Sequence, residues 1–397
     1  MINYQEALGI IAANTQAMET ESIMPACGRV CAIPITSPVD LPGFANSAMD
    51  GFAVIAANGG SGTTRLNVLG TITAGMAAPT GPAQPGTAWE IMTGAPVPDG
   101  YDAVIPVEKT TRRDDTVELN ASPIAGANVR NPGEDFSTGM QALSTGTAVT
   151  PEIIMGLAAL GLDQISAYKQ PKVSIITTGN EISSKNADNS EGIILDSNRP
   201  YLEAAVKQSG AMLLNSRSVS DEADALATAI AEAAADADII LTTGGVSAGR
   251  MDFVPEVLRG LGAEILFHKV AIRPGKPLLF ARMPSGTLIF GLPGNPVAVA
   301  VGWRFFVVEA IRLMLGQQPG TCSAARLVNG AGSRAGLRFF AKARSAVNAS
   351  GELEVEVLGG QESFKISPLM QANCWAIFTE SDEQCMAGDQ ILITPLS

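Results

Sequence analysis

Thr242-Thr243-Gly244-Gly245-Val246-Ser247, with Asp252 five residues further on, is the segment of this chain best suited to hold an anion. A strand that turns through two glycines presents successive N–H groups and hydroxyls to a ligand, the more so where a helix begins. A glycine pair alone equally serves a tight strand-to-helix turn. Repetition favours the ligand: Thr177-Thr178-Gly179 and Pro293-Gly294-Asn295-Pro296 also follow apolar runs, so three loops can converge on one crevice. Lys269, Arg273 and Lys276 fall within eight residues, and in an extended stretch Lys269 and Arg273 share one face. Pro274 and Pro277 stiffen this segment, which suits a pre-organised oxyanion clamp rather than a solvated surface. Carboxylates recur in Gly/Ser loops: Asp50, Asp135, Glu181, Asp196 and Asp252. Beside a phosphate cradle, such acids predict Mg2+ held between carboxylate and substrate phosphates. Asp50-Gly51 is also a common turn dipeptide, so Asp50 alone reads as turn chemistry. His268, the single histidine, reads as structural.

The 397 residues carry 26 basic and 39 acidic side chains, a formal charge of −13. That balance argues against non-specific nucleic-acid or anionic-membrane binding, so an anionic ligand needs a local cluster of cations and N–H groups. One histidine excludes His-rich zinc sites, and five cysteines without a C-x-x-C support neither a disulfide framework nor a zinc cage. MINYQEALGI lacks the pattern of a signal peptide, and no 18 apolar residues run together. The expectation is a soluble, cytoplasmic protein without membrane or nucleic-acid partners.

Elements must position these residues. Apolar spacing predicts an amphipathic helix within 4–18 and another over 151–162, where Pro151 sits in the first turn. Between 44 and 138, short β-branched runs at 63–73 and 103–107 are separated by Gly/Pro/Asn/Asp clusters, which predicts a β-rich domain. From 171 onward, apolar strands at 173–176, 239–241 and 288–290 each end in a glycine-bearing loop. Helical patterns at 198–209, 221–235, 253–261 and 297–315 accompany them. Strands alternating with helices predict a doubly wound parallel sheet with its ligand at the carboxyl ends of the strands. After Gly316, alternation at 352–357 and again at Ile391 and Ile393 predicts a small β domain. The expected fold is thus multidomain α/β and β. It comprises an opening helical segment, a β-rich inserted domain (44–138), a doubly wound α/β domain (171–318) and a small C-terminal β domain (319–397).

Eight segments occur in an order that resembles the molybdopterin molybdenumtransferases, the MoeA type to which the C-terminal part of gephyrin is related. They are FANSAMDGFAV (44–54), IMTGAPVPDGYDAVIPVE (91–108), NPGEDF (131–136), TTGNEI (177–182), DSNRPYL (196–202), TTGGVSAGRMDF (242–253), RPGKP (273–277) and GLPGNPVAVA (291–300). The resemblance implies an elongated four-domain homodimer, with 1–43 and 139–170 as a helical linking domain, a β-barrel-like domain at 319–397 and a site shared between two chains, that inserts molybdenum from molybdate into adenylylated molybdopterin. Mg2+ would be required and AMP released. The pathway's adenylyltransferase and molybdoenzyme acceptors would be partners.

By motif position, the resemblance implies catalytic roles for Asp50, Thr93, Asp135 and Glu181, with Asp50 and Glu181 on the metal. It implies binding of molybdopterin adenylate and molybdate by Asp221, Thr243, Gly244, Gly245, Ser247, Asp252, Lys269, Arg273, Lys276, Pro293, Pro296 and Ser363. The chain departs from the family at Ala45, Asn180 and Arg250, where Asp, Asp and Glu are usual, and at Arg273, where Lys is usual. The last change keeps the charge and adds a bidentate donor. Two other functions fit parts of the pattern. A molybdopterin adenylyltransferase shares the α/β domain but lacks the 44–138 segment. A non-catalytic pterin-binding or scaffold paralogue is permitted by Asn180 and Arg250, while Asp50, Glu181 and Asp252 weigh against it.

Overall fold

The computed structural model describes residues 1–56, 64–179, 182–183, 194–244, 253–332, 336–382 and 384–396. They form two compact units, one of residues 1–33, 145–150 and 164–397, the other of 34–144 and 151–163. The four segments expected from the sequence divide the chain more finely. The opening helix Tyr4–Asn14, grouped there with a linking segment, belongs to the first unit: Tyr4, Ala7 and Ile11 join the core of the parallel sheet. Asn3 caps this helix, its side chain accepting from the Glu6 N–H while Glu6 accepts from the Asn3 N–H.

A six-stranded sheet organises the first unit, in the order Met212–Val219, Lys172–Thr178, Ile239–Thr243, Leu288–Leu292, Leu279–Arg282, Glu264–His268. The first four strands are parallel; three of them are the expected apolar runs, and Met212–Val219 is an addition to them. The last two, which the sequence pattern leaves unassigned, run antiparallel at one edge of the doubly wound sheet. The cause is chain length: the connections 269–278 and 283–287 are shorter than the crossover of about a dozen residues that parallel neighbours need.

Alternate residues of each central strand enter different cores. Ile239 and Leu241 face the layer holding Leu202, Val206 and the helix from Pro296, whereas Ile240 faces Leu226, Ile230, Val254 and Leu258. Helices Asn198–Gln208 on one side, and Ala223–Ala233 with Val254–Gly260 on the other, therefore cover both faces. The 297–315 pattern forms one continuous helical rod: Pro296–Gly302, a π turn at Trp303–Val307, then Val308–Met314.

Five C-terminal strands close on themselves. Arg338–Val347 pairs with Leu353–Val357, which pairs with Ser323–Leu327, then Gln390–Pro395, then Cys374–Phe378, which returns to Arg338–Val347. This ring is the expected barrel, filled by Phe339, Ala341, Val355, Phe378 and Ile391. Ile272–Arg273 pairs onto its outside at Arg338 and Phe339.

The second unit is built on a sheet ordered Ala103–Pro106, Gly51–Val54, Thr87–Ile91, Thr64–Ile72, Thr116–Leu119, Thr110–Arg113. Phe52 and Val54 enter one core and Ala53 the other, so the strand beside Asp50 is buried on both faces. No helix among the described residues is long and apolar enough to cross a membrane.

Gly51 has a reason other than a turn. A Cβ there would lie 2.1 Å from the Ile105 carbonyl oxygen, and that backbone is fixed by the pairing of Phe52 with Ile105. Gly51→Ala is expected to destabilise the second unit by about 1–3 kcal/mol. Urea unfolding followed by amide exchange at 51–54 and 103–106 checks this; unchanged protection there would refute the close-approach account.

Candidate active site

The carboxyl ends of the four parallel strands lie side by side, because Thr178 pairs with Val219, Thr177 with Thr243, and Thr243 with Leu292. The loops that follow start at Gly179, Ser220, Gly244 and Pro293, which brings Asp221, Thr243, Gly244 and Pro293 to one edge of the sheet. The chain leaves Lys172–Thr178 toward one neighbour and Ile239–Thr243 toward the other, so a crevice opens between these two strands.

Two loops meet in that crevice. The Thr178 hydroxyl donates to the Thr243 carbonyl at 3.3 Å. Gly244 has φ +93°, and a Cβ there would sit 2.7 Å from Thr178 Oγ1, so only glycine lets the loops approach this closely. Four threonines line the strand ends, all buried: Thr177, Thr178, Thr242 and Thr243. Among the described residues, the hydroxyls of Thr242 and Thr243 and Asn198 Oδ1 have no hydrogen-bond partner. Buried polar atoms are normally paired, so three such atoms near one edge make this the candidate place for a polar ligand. Glu181, Gly245, Ser247 and Asp252, and the departures Asn180 and Arg250, lie outside the described residues.

The DSNRPYL segment folds over the same edge. Asp196 accepts from the Thr177 hydroxyl at 3.3 Å and the Arg199 N–H at 3.0 Å, and pairs with the Arg199 guanidinium at 3.3 Å. Asn198 donates through Nδ2 to the Gly294 carbonyl at 2.8 Å, joining this segment to the GLPGNP loop. Pro293 is buried, and Pro296 opens the helix, where a missing N–H costs nothing. The Val297 N–H donates to the Ser363 carbonyl at 3.0 Å, which sets Ser363 against the same loop.

Lys342, invisible to motif reasoning, organises that contact. Its side chain is fully buried in the barrel wall, and its ammonium donates to the carbonyls of Gly360, Glu362 and Lys365 at 2.7, 3.2 and 3.1 Å. Burial pulls this ammonium below the usual lysine range, with Glu362 opposing the shift. The only sequence signal was a lysine in an otherwise apolar run, Phe339-Phe340-Ala341-Lys342-Ala343.

The basic loop differs from expectation. Lys269 takes a left-handed φ of +74°, and only Ile272–Arg273 is strand, so the stretch is not continuously extended and the period-two argument fails. Its three cations nonetheless stay available: among the described residues, none of Lys269, Arg273 and Lys276 forms an ion pair with a carboxylate, whereas ten other Lys and Arg side chains do.

Asp50, Thr93 and Asp135 belong to the second unit. Thr93 donates to Asp50 Oδ1 twice, from its backbone N–H at 2.7 Å and its hydroxyl at 2.8 Å. These two donors hold the exposed Asp50 carboxyl below the usual carboxylate range. The resulting stabilisation is present above the ordinary carboxylate pKa and is lost as pH falls through the lowered one. Asp135 is exposed; its N–H donates to the Leu41 carbonyl at 2.9 Å, and its carboxylate makes no hydrogen bond among the described residues. Sequence reasoning missed a second pair of the same form. Thr138 donates to Asp40 Oδ1 from its N–H at 2.7 Å and its hydroxyl at 2.9 Å, and tethers the NPGEDF loop.

With this geometry in view, the fold is that of a sheet protein with a ligand crevice at its switch point, joined to a barrel. Residues 2–161 match the family model described as the MoeA N-terminal region (domain I and II), and 174–313 the one described as a probable molybdopterin binding domain. The chain is 33% identical over 382 residues to the molybdopterin molybdenumtransferase of Haemophilus influenzae, covering 95% of this chain and 93% of that protein. It is 32% identical to the molybdopterin molybdenumtransferase of Synechococcus elongatus over the whole of both chains. The crystal structure of the molybdopterin biosynthesis MoeA protein of Pyrococcus horikoshii superposes over the full length of both, with a TM-score of 0.86 and 27% identity. This chain belongs to the molybdopterin molybdenumtransferase family.

Two expectations follow. Thr93→Val removes one of the two donors to Asp50, so the Asp50 midpoint should rise toward the ordinary carboxylate value while that of Asp40, held by Thr138, stays put. Carboxyl 13C NMR titration reads both, and an unmoved Asp50 midpoint would discount the hydroxyl. Lys342→Met strands three buried carbonyls, so urea unfolding should show a loss of about 1–3 kcal/mol. Amide exchange should quicken across 360–366; if it does not, Lys342 is not the clamp of that loop.

Proposed function

We propose that this chain inserts molybdenum from molybdate into adenylylated molybdopterin and releases AMP. The observation that carries the reading is the meeting of Thr178 and Gly244 at the switch point, beside threonine hydroxyls without a partner among the described residues, inside the segment that matches a molybdopterin-binding family model. Hydroxyls and backbone N–H groups there suit the pterin's polar edge and its phosphates. Lys269, Arg273 and Lys276 supply the cations that a molybdate dianion needs on a chain of net charge −13.

Mg2+ enters through Asp50. Both Thr93 donors occupy one carboxylate oxygen, which leaves the other as a hard ligand that stays ionised at neutral pH. Mg2+ is commonly bound by one or two carboxylates together with phosphate oxygens and water. Among the described residues no three acidic, His or Cys side chains cluster, so substrate phosphates and water would complete the sphere. When bound, the ion offsets charge on the phosphate as AMP departs. A homodimer working in the cytoplasm is part of the same reading and rests on the family. The second unit, with Asp50 and Thr93, weighs against an adenylyltransferase.

The test is AMP release from adenylylated molybdopterin by the purified chain. AMP should appear only when molybdate and Mg2+ are both supplied, and chelation should stop it. Release at the same rate without molybdate would overturn the transfer reading, and ATP consumption with free molybdopterin would favour adenylylation.

A further inference from the structure

Arg273 is exposed and carries no ion pair with a carboxylate among the described residues. Its guanidinium carbon lies 4.9 Å from the centroid of the Phe339 ring. The contact follows from pairing, since Ile272–Arg273 runs parallel to the first barrel strand with Arg273 beside Phe339. Phe339 is itself fixed: it is 3% exposed and stacks on Phe378, with centroids 5.7 Å apart and planes 24° apart. The neighbouring Arg338 is spent otherwise, paired with Glu380 and lying over the Tyr4 ring.

An arginine on an aromatic face loses little of its capacity to donate, because its N–H groups point outward in the plane of the guanidinium. The ring removes rotamer freedom that the side chain would otherwise lose on binding. A lysine in this place would offer a mobile point charge. We propose that Phe339 is a positioning residue that holds Arg273 as a flat, forked donor for a tetrahedral oxyanion, so that the barrel helps set the anion selectivity of the loop. The proposal rests on reading 269–276 as the oxyanion loop.

Calorimetric titration of the full-length chain with molybdate alone, without pterin, separates the two ideas. Phe339→Leu should weaken molybdate binding about two- to fivefold, and Phe339→Tyr, which keeps the ring, should not. In an Arg273→Gln background, Phe339→Leu should cost nothing further. An equal loss in both backgrounds would mean that Phe339 merely supports the barrel, and would overturn the proposal. Unchanged affinity in Arg273→Gln alone would instead refute the oxyanion loop itself, and the proposal with it. Thermal melts of each variant establish folding. If Phe339→Leu does not fold, Phe339→Met, similar in volume but without a π face, takes its place in the cycle with the same two outcomes.

Discussion

Arg304 reaches from the middle of the long helical rod to the last barrel strand, where its guanidinium donates to Thr394 Oγ1 at 2.6 Å and to the Pro395 carbonyl at 3.1 Å. The side chain is 5% exposed and has no carboxylate partner among the described ion pairs, so a cation is held in the interior by neutral acceptors and the nearby Phe305 ring. Burial, then Arg312, pulls its pKa down from the usual arginine range. Such a charge is tolerated only while its acceptors stay in place. Around it, Phe305 stacks on Phe340 at 3.8 Å and Phe306 meets Tyr4 at 5.4 Å, so the opening helix, the rod and the barrel share one core. The rod begins at Pro296, directly after the GLPGNP loop, and its first turn is bonded to Ser363. Fixing Arg304 therefore fixes one wall of the crevice.

The electrostatics follow from composition. A chain with thirteen excess negative charges repels oxyanions at long range, so binding must come from short-range donors. Ten Lys and Arg side chains are paired with carboxylates among the described residues, while those of the basic loop are not. Ion pairs on an exposed surface contribute little stability, so leaving these three cations without carboxylate partners among the described residues costs the fold little.

Much of this was legible in the sequence, and the failures have physical causes. Buried parallel strands read clearly because every residue of Ile239–Thr243 and Leu288–Leu292 is apolar or small enough to enter one of two cores. Met212–Val219 went unread because it is an edge strand whose Asn215, Ser216, Arg217 and Ser218 tolerate solvent on one side. The antiparallel pair was hidden by the basic loop between its members, which drew attention to charge rather than to Phe267 and Phe280 on either side. Barrel closure depends on pairing between Arg338–Val347 and Cys374–Phe378, which no local pattern encodes. Asp50 and Thr93, each given its role by motif position alone, prove to be hydrogen-bonded across 43 residues, a pairing the sequence did not announce. Lys342 was not legible, because its role depends on three carbonyls supplied by a later loop.

Asp40 with Thr138 shows why hydrogen bonding alone does not define a functional carboxylate. Both aspartates accept an N–H and a hydroxyl from one threonine through a single oxygen, and both are held below the ordinary carboxylate range for the same reason. They differ in what the contact closes. Asp40 ties the end of the NPGEDF loop to the segment where Leu41 receives the Asp135 and Phe136 N–H groups, so its bonds serve the loop that carries Asp135. Asp50 instead ends a turn against a strand that Gly51 locks to Ile105, and its free oxygen is presented from a fixed backbone rather than from a tether. A metal ligand needs that rigidity, because a carboxylate that must first be ordered loses part of its affinity to entropy. The same local motif thus orders a loop in one place and, on the Mg2+ reading proposed above, would offer a ligand in the other, the packing behind the backbone deciding which.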